Sequence, residues 1–115
     1  VSQYAASLTI PSNTLEIDKI SSMIIVHEAF LVGYEIFFPP GCAGLCYVAL
    51  SVDGRQLAPA DGSADRYFHG EGSKTWTGKY RLGTGLTEVY IKILGYNLDD
   101  TYPHTPIISI NTDPV

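Results

Sequence analysis

The side chains that could do chemistry in this chain are few, and they fall in short groups. His69 and Glu71 point to one side if their segment is extended, with Asp65 close in sequence, so a metal could be imagined there. A metal needs three or four converging ligands, however, and polar loop residues explain the same pattern. Asn97, Asp99 and Asp100 offer oxygens to calcium, but without the spaced carboxylates of known calcium loops. Asn and Asp in a turn already have a local use, bonding to nearby backbone amides. Gly72-Ser73-Lys74-Thr75 has the flavour of a phosphate loop, yet Ser73 separates glycine from lysine and no helical pattern follows. For hydrolysis, Ser, His and Asp are present, but no Gly-x-Ser-x-Gly elbow occurs. His27 lies in a β-like run and His104 follows Pro103 in a loop. No catalytic residue and no metal ligand is assigned, and no cofactor is expected.

Cys42 and Cys46 are the only cysteines. Four residues of extended chain would hold their Cα atoms roughly 13 Å apart, beyond the ~7 Å reach of a disulfide. A tight turn through Ala43-Gly44 would close that gap. A disulfide, a zinc site and two free, partly buried thiols are the alternatives, with free thiols the default because no second ligand pair stands nearby in sequence.

Aromatic residues are more suggestive. Tyr67, Phe68, Trp76, Tyr80, Tyr90, Tyr96 and Tyr102 cluster in the second half, many at positions that alternation turns outward. Outward aromatics on a sheet stack on sugar rings or fill subunit contacts, and they also seal the ends of a small core. Tyr67, Phe68, Trp76, Tyr80, Tyr90 and Tyr102 are the candidate binding or interface residues.

The elements that would position these groups are strands. The longest apolar stretch, Phe30–Val52, reads as two strands joined by a loop at Pro39-Pro40-Gly41, where two prolines withhold their amides from pairing. In the first strand alternation groups Phe30, Val32, Tyr34, Ile36 and Phe38 on one face, and Leu31, Gly33, Glu35 and Phe37 on the other. Apolar residues on both faces predict cover on both sides, or on one side plus a subunit contact. Gly33 in mid-strand marks a bulge or a close backbone approach. In the second strand Cys46, Val48, Leu50 and Val52 face inward, and Asp53-Gly54 after it is a strong hairpin signal.

Elsewhere, Ala5–Ile10, Thr14–Ile20 and Met23–His27 read as short strands, with Leu15 and Ile17 alternating against Glu16 and Asp18. Leu57–Gly85 reads as a long excursion containing a short strand at Arg66–His69 and alternation over Lys74–Leu82. Thr87–Tyr96 is the cleanest alternation, with Val89, Ile91 and Ile93 on its inner side, and Pro106–Thr112 is a final strand. No run sustains helical spacing. The fold expected is all-β: a two-sheet β-sandwich, jelly-roll-like, of about eight short antiparallel strands in a single domain spanning 1–115.

With 115 residues and a 45% hydrophobic fraction, the chain can bury roughly two-thirds of its unfolded surface. A net charge of −5 argues against nucleic acid as partner. Before Arg55 the only basic residue is Lys19, an asymmetry that suits solvated faces or complementary ends in an assembly. No stretch approaches the ~18 apolar residues of a membrane span.

Phe37–Pro59 and Ile91–Ile110 resemble segments of short β proteins encoded among the structural genes of tailed phages and related viruses. The shared features are a strand ending in Phe-Pro-Pro-Gly, an Ala-Gly-Leu opening the next strand, and a Gly-Tyr-Asn-x-Asp-Asp-Thr-Tyr-x-His-Thr turn. The resemblance implies a non-enzymatic virion component, oligomeric and in contact with other virion proteins: a head-decoration, fibre-base or tail-surface subunit. It also implies ordinary apolar residues or Pro in relatives at positions 42 and 46. The alternative is a carbohydrate-binding β-sandwich that uses Trp76 and neighbouring tyrosines on a glycan.

Overall fold

Nine residues from Phe30 to Phe38 form the strand around which one sheet is built. The computed structural model describes residues 2–52, 55–59, 67–83 and 88–114. Its eight strands are β1 (Ser2–Ser7), β2 (Ile20–Val26), β3 (Phe30–Phe38), β4 (Cys46–Val52), β5 (Arg55–Ala58), β6 (Gly72–Arg81), β7 (Val89–Asn97) and β8 (Ile107–Asp113). All strand pairs are antiparallel, and they nest: β4 pairs with β5, β3 with β6, β2 with β7 and β1 with β8. Two further pairings, β3 with β8 and β4 with β7, gather the nested pairs into sheets ordered β1-β8-β3-β6 and β2-β7-β4-β5. A long hairpin wound into two four-stranded sheets in this way is a jelly roll, so the sandwich expected from the strand spacing is the fold observed.

The core between the sheets is made by the alternating residues of the central strands. Val48, Leu50 and Val52 of β4 meet Ile91 and Ile93 of β7, Ile36 and Phe38 of β3, and Ile108 and Ile110 of β8, all without meaningful exposure. On β3 the inner set departs from simple alternation. Leu31 pairs with Thr112 and Gly33 with Asn111, which leaves Val32 as an extra residue against β8. This bulge puts Leu31 in the core with Ile36 and Phe38 and turns Phe30 outward, where Lys79 and Arg81 lie over its ring. The sequence grouping of Phe30 and Val32 with Tyr34 is corrected accordingly. Gly33 is also a close approach, since a Cβ there would lie 3.1 Å from the Trp76 carbonyl oxygen.

Two further expectations are corrected. Thr14–Ile20 is not a strand: Thr14 makes one isolated bridge with Asn97, and Glu16–Asp18 form a single 3-10 turn closed by amides donating to Leu15 and Glu16 carbonyls. Alternation over four residues cannot distinguish a half-wet strand from a surface turn, and Ile17 is 86% exposed. Nor is Leu57–Gly85 one excursion, because β5 completes the second sheet and β6 runs along the whole of β3. The short strand expected at Arg66–His69 reduces, among described residues, to a bridge of Phe68 with Val48. The Asp53-Gly54 turn lies outside the described residues, although Val52 and Arg55 on either side of it are paired. Among the described residues no helix is long and apolar enough to cross a membrane.

β7 is crowded at its loop end. A Cβ on Gly95 would meet Leu8 Cδ2 at 2.7 Å and Ile10 Cδ1 at 2.8 Å, because the segment after β1 crosses directly over it. Gly95→Ala should therefore cost about 1–3 kcal/mol by overpacking. Ile91→Ala, which empties a fully buried site, should cost about 2–5 kcal/mol, whereas Lys92→Ala on the exposed face should cost less than about 0.5 kcal/mol. Urea denaturation of the three variants checks the order.

Candidate functional site

The winding brings residues 8–19, 39–45 and 98–106, with residues 67–71 ahead of β6, to one end of the sandwich. Chemistry-bearing side chains that are remote in sequence meet there. Pro39 and Pro40 end β3, and the chain then turns back at Cys42–Leu45, where the Leu45 amide donates to the Cys42 carbonyl at 2.9 Å. Ala43 (φ 51°) and Gly44 (φ 76°) are both left-handed, which makes this a type I′ turn. It is the tight turn needed to bring two sulfurs four residues apart onto the same spot. Cys42 and Cys46 are both free and fully buried.

His104 reaches this spot from the β7–β8 connection. Its backbone is fixed by a two-way bridge with Ile10, at 2.8 and 3.1 Å. Its ring and the two sulfurs have donor atoms that all lie within 4.8 Å of one another. Nε2 of His104 sits 2.7 Å from Oδ2 of Asp99, while Oδ1 of Asp99 accepts the amides of Thr101 (2.9 Å) and Tyr102 (3.2 Å). Those bonds, the histidine contact foremost, hold the Asp99 carboxyl below its ordinary range. Asn97, at the end of β7 and opposite Cys46, is buried beneath the group. Its Nδ2 donates to the carbonyls of Ile10, Pro11 and Tyr102, and its Oδ1 accepts the Asp99 amide at 2.9 Å and faces the Cys46 sulfur at 3.8 Å.

The chemistry open to this cluster follows from its environment. Burial pushes both thiols up from their ordinary range, so neither is an activated nucleophile. Two sulfurs and an imidazole make a donor set for a soft cation. The calcium arrangement considered for Asn97, Asp99 and Asp100 is put to other uses: both Asp99 oxygens are bonded locally, and Asp100 accepts the Thr101 hydroxyl at 2.9 Å. Glu71 accepts the Ala43 amide at 3.2 Å and His69 packs on Tyr47 at 5.1 Å, while Asp65 lies outside the described residues. Gly72–Thr75 is the start of β6, so the strand geometry excludes a phosphate loop there.

The six aromatic candidates separate into three places. Trp76 lies opposite Tyr34 on β3 and stacks on it at 5.6 Å, with Phe68 tilted against the same ring at 5.9 Å. Phe68, Trp76 and Tyr80 all pack, half-buried, against the core. Tyr67 stands edge-on to Tyr96 at 4.9 Å, and Tyr96 stacks on Tyr47 at 4.5 Å, forming an aromatic ridge on the outer side of the second sheet. Tyr90 is exposed on that same side, and Tyr102, 65% exposed, stands on the loop end. Sequence reading passed over Tyr47 and the meeting of His104 with the cysteines. The Asx-type spacing of Asn97, Asp99 and Thr101 was the available signal for an ordered loop, but nothing in the sequence places that loop beside residue 42.

At the opposite end, Glu28 binds the Thr112 hydroxyl at 2.6 Å and the Tyr4 hydroxyl at 2.7 Å through one oxygen. These bonds lower the Glu28 carboxyl below its usual range. A depressed folded pKa means that the unfolded chain binds more protons in acid. The stability contributed by Glu28 and Asp99 is therefore present above the ordinary carboxylate range near pH 4 and is lost as pH falls through their lower folded values. Chemical denaturation from pH 7 to pH 2 should show this acid-side slope, and Glu28→Gln and Asp99→Asn should each flatten it.

No protein-family model and no curated protein matches the chain. Among solved structures it is similar to a chain in the structure of infectious bursal disease virus, Gx strain, with 11% identity and a TM-score of 0.31. The match covers 96% of this chain and 32% of that one, so this chain spans about a third of the viral chain's length. The likeness is faint.

Proposed function

We propose that this protein is a non-enzymatic structural subunit of a virion, working through contacts with copies of itself and with other virion proteins. The observation that carries the proposal is the row of exposed apolar side chains on the outer face of the second sheet. The first sheet's outer face is mostly polar over its middle, with Gln3, Ala5, Ser109, Asn111, Glu35, Thr75 and Thr77, and carries an apolar pair at one end, where Ile107 (45% exposed) lies opposite Phe37. On the second, Ile25 lies opposite Tyr90 and Met23 opposite Lys92, with Leu94 and the Tyr47–Tyr96 pair continuing the row. Met23 (52% exposed), Ile25 (44%) and Tyr90 (45%) are large apolar side chains standing together in solvent. A contiguous apolar strip of this kind is a mark of a protein contact. The residue-level resemblance to virus structural proteins supplies the setting, and a head-decoration, fibre-base or tail-surface position is the finer form of the proposal.

Light scattering of the purified chain should give a mass above the monomer, or the chain should co-sediment with virus particles. Ile25→Asp combined with Tyr90→Asp should reduce that association at least tenfold while leaving the thermal midpoint nearly unchanged, since both residues are exposed. A monomeric wild-type chain that binds no particle would overturn the proposal.

A further inference from the structure

We propose that Cys42, Cys46 and His104 form a binding site for a soft divalent cation of the zinc class, which staples the connections at the loop end of the jelly roll. Three independent pieces of backbone fix the ligands. The type I′ turn sets Cys42, pairing with Asn97 sets Cys46, and the bridge with Ile10 sets His104. Their donor atoms already lie within 4.8 Å of one another. A tetrahedral zinc ion with bonds of about 2.3 Å to sulfur and about 2.0 Å to nitrogen places its donors roughly 3.5–3.8 Å apart. Side-chain adjustment of about 1 Å or less gathers the three, with no change in the strands.

The surroundings favour a cation over three unconnected side chains. Asp99 takes Nε2 of His104 at 2.7 Å, so Nδ1 is the ring nitrogen that would ligate. A carboxylate holding the far nitrogen of a ligating histidine is the usual outer support of such sites. Two thiolates balance a dication, so the occupied centre adds no net charge to the apolar core in which both cysteines lie. Sulfur donors select against calcium and magnesium, which take oxygen. Three protein ligands leave one tetrahedral position for water or a carboxylate. Glu71 lies beside the site, its Oε1 accepting the Ala43 amide at 3.2 Å. Ala43 stands at φ 51°, a left-handed conformation costly for alanine, in the turn that places Cys42.

Binding displaces one proton from each thiol, and the two protons go to solvent; no oxidant or reductant takes part. The test uses the full chain, reduced and freed of metal. Titration with Co2+ should produce a thiolate-to-metal charge-transfer band and intense tetrahedral visible bands that saturate at one ion per chain and are displaced by Zn2+. Zn2+ binding should release about two protons per ion. It should also raise the melting midpoint by about 10 °C at a hundredfold excess over Kd. Cys42→Ser and Cys46→Ser should each abolish the band, and Asp99→Asn, which keeps an oxygen for the Thr101 and Tyr102 amides but removes the charge behind His104, should weaken binding about 10–100-fold. If the serine variants fail to fold, the wild-type band, proton release and melting shift still decide. Absence of the band in the reduced wild-type chain, a midpoint indifferent to Zn2+, or a band that survives in Cys46→Ser would overturn the proposal. So would a Cys42–Cys46 disulfide that persists under mild reductant.

Discussion

Asn97 is an uncharged amide at the end of a central strand, wholly removed from solvent, and the loop end of the molecule hangs on it. A buried amide left without partners would cost several kcal/mol, on the order of 1–3 for each unmade bond. Here its nitrogen serves three carbonyls from two connections, its oxygen serves Asp99, and its backbone pairs both ways with Thr14. Because every one of those bonds depends on the others being in place, the β1–β2 and β7–β8 connections are ordered as a unit. Asp99 is thereby aimed at His104, and His104 at the cysteines.

This arrangement separates the molecule into regions with different physical tasks. The space between the sheets is apolar and filled by isoleucine, valine and leucine from the inner faces of β3, β4, β7 and β8. The loop end holds the polar and sulfur groups in a connected network in which no buried side-chain nitrogen or oxygen among the described residues lacks a partner. Both outer faces carry apolar side chains, Ile107 and Phe37 at one end of the first sheet and the row of Met23, Ile25 and Tyr90 on the second. The β6 edge is guarded by Lys74, Lys79 and Arg81, which discourage further strands from adding there. The proposed contact surface is accordingly the apolar outer face of β2 and β7 and not the β6 edge.

A jelly roll by itself says little about activity, since capsid proteins, lectins and cupins share it. The reading of a contact-forming subunit rests on where apolar side chains stand in solvent, and the reading of a cation site rests on which donors converge. The two are independent. A chain that failed to assemble could still hold a metal at its loop end, and an assembling chain could lack one.

The sequence by itself determined the strands whose alternation is long and anchored by β-branched residues. Cys46–Val52 and the Val89–Ile93 run of β7 needed nothing beyond the two-residue period, and Pro39-Pro40 ended β3 through the loss of two donors. A mid-strand glycine signalled the irregularity at Gly33, but which side of it would flip depended on pairing with β8, since register belongs to two strands and not one. Leu15 and Ile17 were misread because four residues of alternation carry no information about where the neighbouring backbone lies. The turn through Ala43-Gly44 could be named from the sequence as what would unite the cysteines. That His104, more than fifty residues on, arrives at the same point was decided only by the nested winding of β4 against β7 and by the Asn97 bonds that fold the last connection back over it. Such proximity between distant residues is created by closing the sheets, and no local pattern encodes it.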